Sequence, residues 1–308
     1  DLPYFQEAFG YDITEIEDFG DLYSDEGIIE DLKKRAAGIY GAKRAYILVN
    51  GSTVGNLSAV SASVSRRGSI LIARNSHRSA FNAATINELK CNYIDPPVIV
   101  PYIMSGGISA QMVNEALDRV PETEAVFITS PTYEGVISDI AGIARVCHER
   151  DRLLIVDSAH GAYLGFEEGS ALNYNARNVV GESADIVIES LHKTLPCFTQ
   201  TALMFVNGDR VDEERLGRFL AVYQTSSPSY LFMAGISACM DFVESGKERF
   251  NSYYRTVSEL RDKTAGLKNI RIAGSELIGQ NGVYGLDPYK LVIMHKNKTG
   301  ALIRASVR

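Results

Sequence analysis

Several patterns that mark large protein classes are missing from this sequence of 308 residues. No apolar segment is long enough to span a bilayer, and no signal peptide opens the chain. Lysine and arginine number 31 against 38 aspartates and glutamates, and the net charge of -7 gives no electrostatic reason to expect nucleic acid or an anionic membrane surface as a partner. We therefore expect a cytoplasmic protein whose partner is a small molecule.

Motifs for metal binding, hydrolysis and nucleotide phosphates are missing as well. The four cysteines form no CxxC pair, and His77, His160 and His192 show no HExxH or comparable spacing, so no metal site is predicted. No GxSxG elbow and no P-loop pattern occurs, which argues against a Ser-His-Asp hydrolase and against that mode of nucleotide binding. The cysteines are expected to be reduced thiols, as in cytoplasmic proteins.

Short apolar strands alternate with amphipathic helices along most of the chain. Strands are predicted at residues 45–49, 69–73, 125–129, 153–157, 185–189 and 202–206. Helices are predicted at residues 27–37 with an end near Gly41, from residue 51 onward, and at 78–89, 140–149 and 233–243. This alternation predicts an α/β fold with a mainly parallel sheet flanked by helices on both faces.

The chain is long enough for one large core and a small appended unit, since 45% of its residues are hydrophobic. We predict a major domain, including an N-terminal segment, over residues 1–245. Residues 246–308, with a short strand at 290–294, are predicted to form a small and incomplete C-terminal α/β domain.

Polar and reactive side chains follow the predicted strands, where ligands of such sheets gather. Lys193 comes just after the strand at 185–189, and a lysine held in a desolvated cavity can use its free amine to form an imine. Taken alone, a lysine is more often a solvated surface residue. The apolar neighbours Leu191 and Leu195 predict that Lys193 is shielded from solvent.

Asp157 ends the very apolar strand at 153–157. A carboxylate at that depth needs a hydrogen-bonding or cationic partner, because an unpaired buried charge costs several kcal/mol. A pyridinium nitrogen would supply such a partner, and the ring could then accept electrons from a bond broken at a substrate Cα. The alternative is an aspartate that only caps the turn after the strand.

Other strand-end groups fit a phosphate or a flat ring. Gly51, Ser52 and Thr53 open a helix, where hydroxyls and free amides can hold a phosphate, although such a triplet is usually an N-cap. His77 could lie flat against a ring and His160 could act beside a substrate, but a single histidine is more often structural. The segment at 226–228 could donate hydroxyls to phosphate or form a capped turn.

Together these segments resemble the ornithine/lysine/arginine decarboxylase family, which uses pyridoxal 5'-phosphate on the aspartate-aminotransferase-like fold (fold type I). The resemblance runs from Tyr11 to Val243, with a weaker echo at residues 286–291. Residues 190–196 resemble the SxHK signature of the family, and residues 157–161 resemble its DSAHG segment.

The resemblance implies pyridoxal phosphate as cofactor and a role for each matching residue. Catalytic roles fall on Lys193, which would form the internal Schiff base, and on Asp157, His192 and His77. Cofactor contacts are implied at the pyridine nitrogen for Asp157, beneath the ring for Ala159, over the ring for His77, and at the phosphate for Ser52, Thr53, Ser190 and His192. His160 is placed beside the cofactor, and Ser226 would reach a phosphate in the neighbouring subunit of a homodimer or higher oligomer.

The reaction implied is decarboxylation of arginine, lysine or ornithine to the amine, as in polyamine biosynthesis. A quinonoid intermediate would be stabilised by Asp157, and Lys193 or His192 would return a proton to Cα. The distal cation, which is the amine or guanidinium at the end of the substrate side chain, has three candidate partners: Asp25, Glu26 and Glu134.

Two alternatives stay open. One is another fold-type-I reaction, catalysed by an aminotransferase, lyase or aldolase. The other is a shortened, non-catalytic relative that regulates a full-length enzyme, because the Pro-Gly-His-Lys segment and the long C-terminal domain of the family are not in this sequence. The retained Lys193, Asp157 and His77 count against the second alternative.

Overall fold

The computed structural model describes residues 9–13, 20–23, 26–100, 102–167, 174–298 and 300. The helices are α1 (Gly27–Tyr40), α2 (Gly51–Ser63), α3 (Arg78–Ile86), α4 (Ala110–Arg119), α5 (Ile140–His148), α6 (Leu191–Thr194), α7 (Glu213–Tyr223), α8 (Tyr230–Ser245) and α9 (Lys247–Thr264). The strands are β1 (Arg44–Leu48), β2 (Ser69–Ala73), β3 (Lys90–Ile94), β4 (Val98–Ile99), β5 (Met104–Ser105), β6 (Thr123–Thr129), β7 (Val136–Ile137), β8 (Leu153–Asp157), β9 (Ile186–Ser190), β10 (Ala202–Val206), β11 (Ile270–Ile272), β12 (Gly285–Leu286) and β13 (Ile293–His295).

One sheet of seven strands organises the fold, in the order β1-β10-β9-β8-β6-β2-β3. The pairs from β9 to β3 are parallel, and β10 is antiparallel to both of its neighbours. Strand β10 is therefore the single reversed strand of this sheet, and the prediction of a mainly parallel sheet is confirmed. The carboxyl ends of β6, β8 and β9 meet at one edge, where the site lies.

Helices cover both faces of this sheet, because side chains of a strand point alternately to opposite faces. In β2, Leu71 packs in the cluster that contains residues of α1, α4, α5 and α8. Its neighbour Ile72 packs in the cluster that contains residues of α2, α3 and α7. The predicted covering of both faces is confirmed.

Most predicted elements lie within three residues of their observed bounds. Helix α1 ends at Tyr40, which agrees with the predicted end near Gly41, and the C-cap Gly41 adopts a φ of 74° that favours glycine. Among the longer elements, β3, α4, α7 and α9 had not been predicted, nor had the one-turn helix α6 and the short strands β4, β5, β7, β11 and β12. Helix α3 ends at Ile86 instead of 89. The strand predicted at 290–294 was placed too early: it runs from Ile293 to His295, because the segment before it forms a turn.

The tail after α9 packs against the body of the chain. Strand β12 pairs antiparallel with β7, and β11 pairs antiparallel with β13. Leu277, Val283 and Leu286 join Ile99 and Val136 in one buried cluster. The division into domains at residue 245 stays a prediction.

Two features are absent from the described part of the chain. No helix there combines the length and apolar character needed to cross a membrane. No group of three or more histidine, cysteine, aspartate or glutamate side chains there is arranged to hold a metal ion.

Candidate active site

A cavity of about 440 Å³ opens at the carboxyl ends of β6, β8 and β9. It brings together most of the site residues predicted from the sequence. Those that line it are Ser52, Thr53, His77, Asp157, Ala159, His160, His192 and Lys193. Ser190 lies one contact away, because its Oγ donates to Ser52 Oγ at 2.9 Å.

Lys193 lies on α6, a single helical turn directly after β9. Its Nζ is 3.4 Å from His160 Nε2. The prediction that apolar neighbours shield Lys193 from solvent is wrong for this chain, because its side chain is exposed. Leu191 and Leu195 are four residues apart and lie on one buried face of the turn, whereas Lys193, midway between them, faces the cavity.

Asp157, the last residue of β8, is only 2% exposed. Its Oδ2 accepts from Asn56 Nδ2 at 2.9 Å and its Oδ1 from the Ala159 amide at 3.1 Å. Burial raises the pKa of this carboxyl, while these two hydrogen bonds and the nearby charge of Lys193 act in the opposite direction. Within the described residues Asp157 forms no ion pair, so a cation in the cavity would stabilise its ionised form.

A chain of hydrogen bonds joins Asp157 to His77. Asn56 Nδ2 also donates to Ser79 Oγ at 2.9 Å, and Ser79 Oγ lies 2.8 Å from His77 Nδ1. His77 is the N-cap of α3, where Nδ1 accepts from the Ser79 amide. Because Nδ1 accepts, the N–H of the ring is on Nε2, and the ring orientation is fixed at the cavity wall.

The start of α2 offers an anion-binding site at the same cavity. Gly51 has a φ of 77°, and the N-cap Asn50 makes no side-chain hydrogen bond to the first amides of this 13-residue helix. His192 Nδ1 donates to the Thr201 carbonyl at 2.9 Å, which fixes the orientation of the ring at the cavity wall. Free amides, the helix dipole and the Ser52 hydroxyl together suit a phosphate.

Two buried polar atoms of the cavity have no partner among the described residues. They are Asn75 Oδ1 and Thr129 Oγ1, and both residues line the cavity. Buried polar atoms are nearly always hydrogen-bonded, so these atoms are suited to contact a polar ligand. The cavity therefore combines an anion-binding end, a buried carboxylate and an accessible amine.

His160 lies between this cavity and a neighbouring one. Burial, followed by the charges of Lys290 and Lys193, lowers the pKa of His160 to about 3. The ring is therefore neutral near pH 7 and can accept a hydrogen bond from the Lys193 ammonium. The Tyr133 ring packs edge-on against it, with 5.3 Å between centroids and an interplanar angle of 87°.

The neighbouring cavity has a volume of about 660 Å³ and also contacts Lys193. Its outer wall comes partly from α9 and the tail, through Tyr253, Tyr289 and Lys290. Of the acids proposed for a distal cation, Glu134 lines this cavity. Glu26 instead precedes α1 as its N-cap and lines neither cavity, and Asp25 lies outside the described residues.

Ser226 lines neither cavity. It is exposed in the loop between α7 and α8, where the Ser227 amide donates to Thr225 Oγ1 at 3.1 Å. Its predicted contact with a phosphate in a neighbouring subunit stays a prediction.

Some residues of the site had not been predicted from the sequence. Asn56 and Ser79 hold Asp157 and His77, and Tyr133 and Lys290 form the second cavity. Asn56 carries a usable signal, since an asparagine among the small and apolar residues of a helix must find a buried partner. Lys290 lies in the weaker family echo at residues 286–291, but its position at the second cavity depends on how the tail packs.

Comparison with known proteins gives one family. The sequence model of the family described as Orn/Lys/Arg decarboxylase, major domain, matches residues 3–299 of this chain. The uncharacterized protein YaaO of Bacillus subtilis is 29% identical over 295 residues, which cover 95% of this chain and 60% of that protein. An arginine decarboxylase of the same organism is 27% identical over 293 residues, which cover 95% of this chain and 59% of that protein. The chain thus spans about 60% of the length of these curated relatives.

Solved structures confirm the fold. The constitutive lysine decarboxylase of Escherichia coli superposes with a TM-score of 0.77 at 19% identity, covering 94% of this chain and 46% of that one. Serine palmitoyltransferase of Sphingomonas wittichii superposes with a TM-score of 0.62 at 15% identity, and the match covers 85% of this chain and 59% of that one. The predicted fold type I architecture is therefore confirmed. Because the family model matches nearly the whole sequence, the chain belongs to the Orn/Lys/Arg decarboxylase family.

Proposed function

We propose that this chain carries the pyridoxal phosphate site of an enzyme that decarboxylates a basic amino acid: arginine, lysine or ornithine. The observation that carries the proposal is that Lys193, Asp157 and the uncapped start of α2 line a single cavity. Family membership supports it, and so do relatives that are named arginine decarboxylase and lysine decarboxylase.

The residues present suit the cofactor at each of its functional groups. The start of α2, with Ser52 and Thr53, would hold the phosphate, supported by Ser190 and His192. Asp157 would hold the ring nitrogen, with His77 and Ala159 against the ring. Lys193 would bind the aldehyde carbon through its amine.

When bound, pyridoxal phosphate supplies an electron sink for the pair released when a bond at the substrate Cα breaks. The chain must keep that sink effective, and this is the task of Asp157. Its ionised carboxylate favours a protonated ring nitrogen, and Asn56 and the Ala159 amide hold its two oxygens in place. Because Asp157 is only 2% exposed, an ion pair between its carboxylate and the ring nitrogen would lie in surroundings of low dielectric constant.

Proton handling falls to Lys193 and its neighbours. His160, neutral and 3.4 Å from Nζ, accepts a hydrogen bond from the ammonium and orients it toward the cavity. A proton must return to Cα when carbon dioxide has left. Lys193 Nζ and His192 are the candidate donors because both lie on α6 at the cavity wall.

The substrate side of the site would use the second cavity, where Glu134 is the candidate partner for the distal cation. Tyr133 borders both cavities and is 75% exposed. An exposed aromatic side chain at the mouth of the site supports a homodimer or higher oligomer that covers it, and Ser226 would reach the phosphate in the partner subunit. The free thiols of the four cysteines support a cytoplasmic protein.

A product assay tests the proposal. The purified chain, loaded with pyridoxal phosphate, is incubated with arginine, lysine and ornithine, and carbon dioxide and the amine are quantified. We expect equimolar carbon dioxide and amine from one of them, loss of both in Lys193→Ala, and unchanged rates in the control Lys298→Ala, whose lysine is exposed in the tail. A keto acid or ammonia as product, or full activity of Lys193→Ala, would contradict it.

A further inference from the structure

The tail places a second lysine beside Lys193. Lys290 is half-buried and lines the 660 Å³ cavity together with Lys193 and His160. Its Nζ donates to the Tyr133 carbonyl and lies 5.3 Å from the centroid of the Tyr133 ring. Since Tyr133 also borders the cofactor cavity, Lys290 is fixed at the junction of the two cavities.

Lys290 has no carboxylate at ion-pair distance among the described residues. Asp287, three residues before it, is engaged elsewhere, since its Oδ2 accepts from the Tyr163 hydroxyl and its Oδ1 from the Tyr289 amide. Burial lowers the pKa of Lys290, while the charges of Asp287 and Glu134 favour its ammonium form. A half-buried ammonium that faces a cavity without an ion-pair partner attracts an anion.

We propose that Lys290 binds the α-carboxylate of the amino acid substrate. The proposal rests on the function proposed above. A substrate that reacts through its α-amino group at Lys193 brings its carboxylate close to that point, because the two groups share one carbon. Lys290 is the other lysine that lines the same cavity among the described residues. The distal cation of a basic substrate would be repelled by Lys290, so the lysine faces the acidic end of the substrate.

The competing role is purely structural: Lys290 would then only tether the tail to Tyr133. The two roles predict different effects of a substitution on ligand binding. Loss of a tether weakens the binding of every ligand of the cavity alike. Loss of a carboxylate-binding group weakens the binding of amino acids and leaves the binding of the corresponding amines unchanged.

The test compares the two ligand types on the cofactor-loaded chain. Arginine, lysine and ornithine are titrated against agmatine, cadaverine and putrescine, which lack the carboxylate, and binding is followed by calorimetry and by the cofactor absorbance. In Lys290→Gln we expect the preference for the amino acid over its amine to fall at least tenfold, which equals about 1.4 kcal/mol. Lys290→Arg, which keeps the charge, and the exposed control Lys298→Gln should keep the preference.

A measurement on the unsubstituted protein tests the same role without depending on the folding of the variant. Acetate, a free carboxylate, should compete with the amino acid and not with the amine. An equal loss of both ligands in Lys290→Gln, or acetate that competes with neither, would overturn the role of Lys290 while leaving the proposed function intact. A cofactor-loaded wild type that binds neither ligand type would overturn both.

Discussion

Glu189, on β9, gives a prediction whose size can be worked from the structure. The side chain is fully buried, and its Oε1 accepts from Ser158 Oγ and from Asn178 Nδ2, both at 3.3 Å. Its Oε2 has no hydrogen-bond partner among the described residues. Burial raises the pKa of the carboxyl from its ordinary 4.5 to about 8, against the effect of those two hydrogen bonds.

Proton linkage gives the direction in which the free energy of unfolding changes with pH. Between about pH 4.5 and 8 the folded state holds a proton that the unfolded state has lost, so the free energy of unfolding falls as pH rises through this window. Each pKa unit corresponds to about 1.36 kcal/mol, so ionising Glu189 inside the fold costs roughly 3 to 5 kcal/mol. Glu189→Gln removes the titration and keeps Oε1 as acceptor.

Urea unfolding of the cofactor-free chain at about pH 5 and pH 9 provides the assay. The free energy of unfolding of Glu189→Gln, relative to wild type, should rise by roughly 3 to 5 kcal/mol between the two pH values. Glu115→Gln, at an exposed position of α4, is the matched control and should follow the wild type. Equal pH dependence in Glu189→Gln and wild type would refute the reasoning.

Three further predictions concern the site and the packing around it. Asn56→Ala removes the donor to Asp157 Oδ2, so the dissociation constant of the cofactor, measured by absorbance titration, should rise about tenfold. Gly107→Ala places a Cβ 2.1 Å from the Gly282 carbonyl oxygen, so the tail should become more sensitive to limited proteolysis than in wild type. Gly55→Val pushes α2 away from Ile188 and Leu48, and thermal unfolding should show a loss of about 1 to 3 kcal/mol. An unchanged cofactor affinity, cleavage pattern or melting temperature would contradict the respective contact.

The central strands could be predicted because they are buried on both faces and therefore continuously apolar. Every residue of β2 and β10 is buried, which is the pattern expected of central strands in a sheet covered by helices on both faces. Strand β3 escaped prediction because it lies at the sheet edge and contains Lys90 and Asn92. Helix α4 escaped because only Val113, Ala116 and Leu117 of its residues are buried.

The cofactor side of the site could be predicted further than the substrate side. Asp157, His77 and Lys193 each follow a strand, and parallel strands bring such positions to one edge. The exposure of Lys193 could not be foreseen, since the neighbouring residues in the sequence do not reveal which face of a one-turn helix is buried. The echo at residues 286–291 includes Lys290 but could not place it in the site, because the tertiary packing of the tail brings this lysine to the second cavity.

The decisive observation is which residue binds the cofactor covalently. The chain loaded with pyridoxal phosphate is reduced with borohydride, digested and examined by mass spectrometry for the residue that carries the pyridoxyl group. We expect the pyridoxyl label on Lys193, its loss in Lys193→Ala and its retention in Lys290→Gln. A label on Lys290 or on another lysine, with Lys193 unmodified, would contradict the role of Lys193.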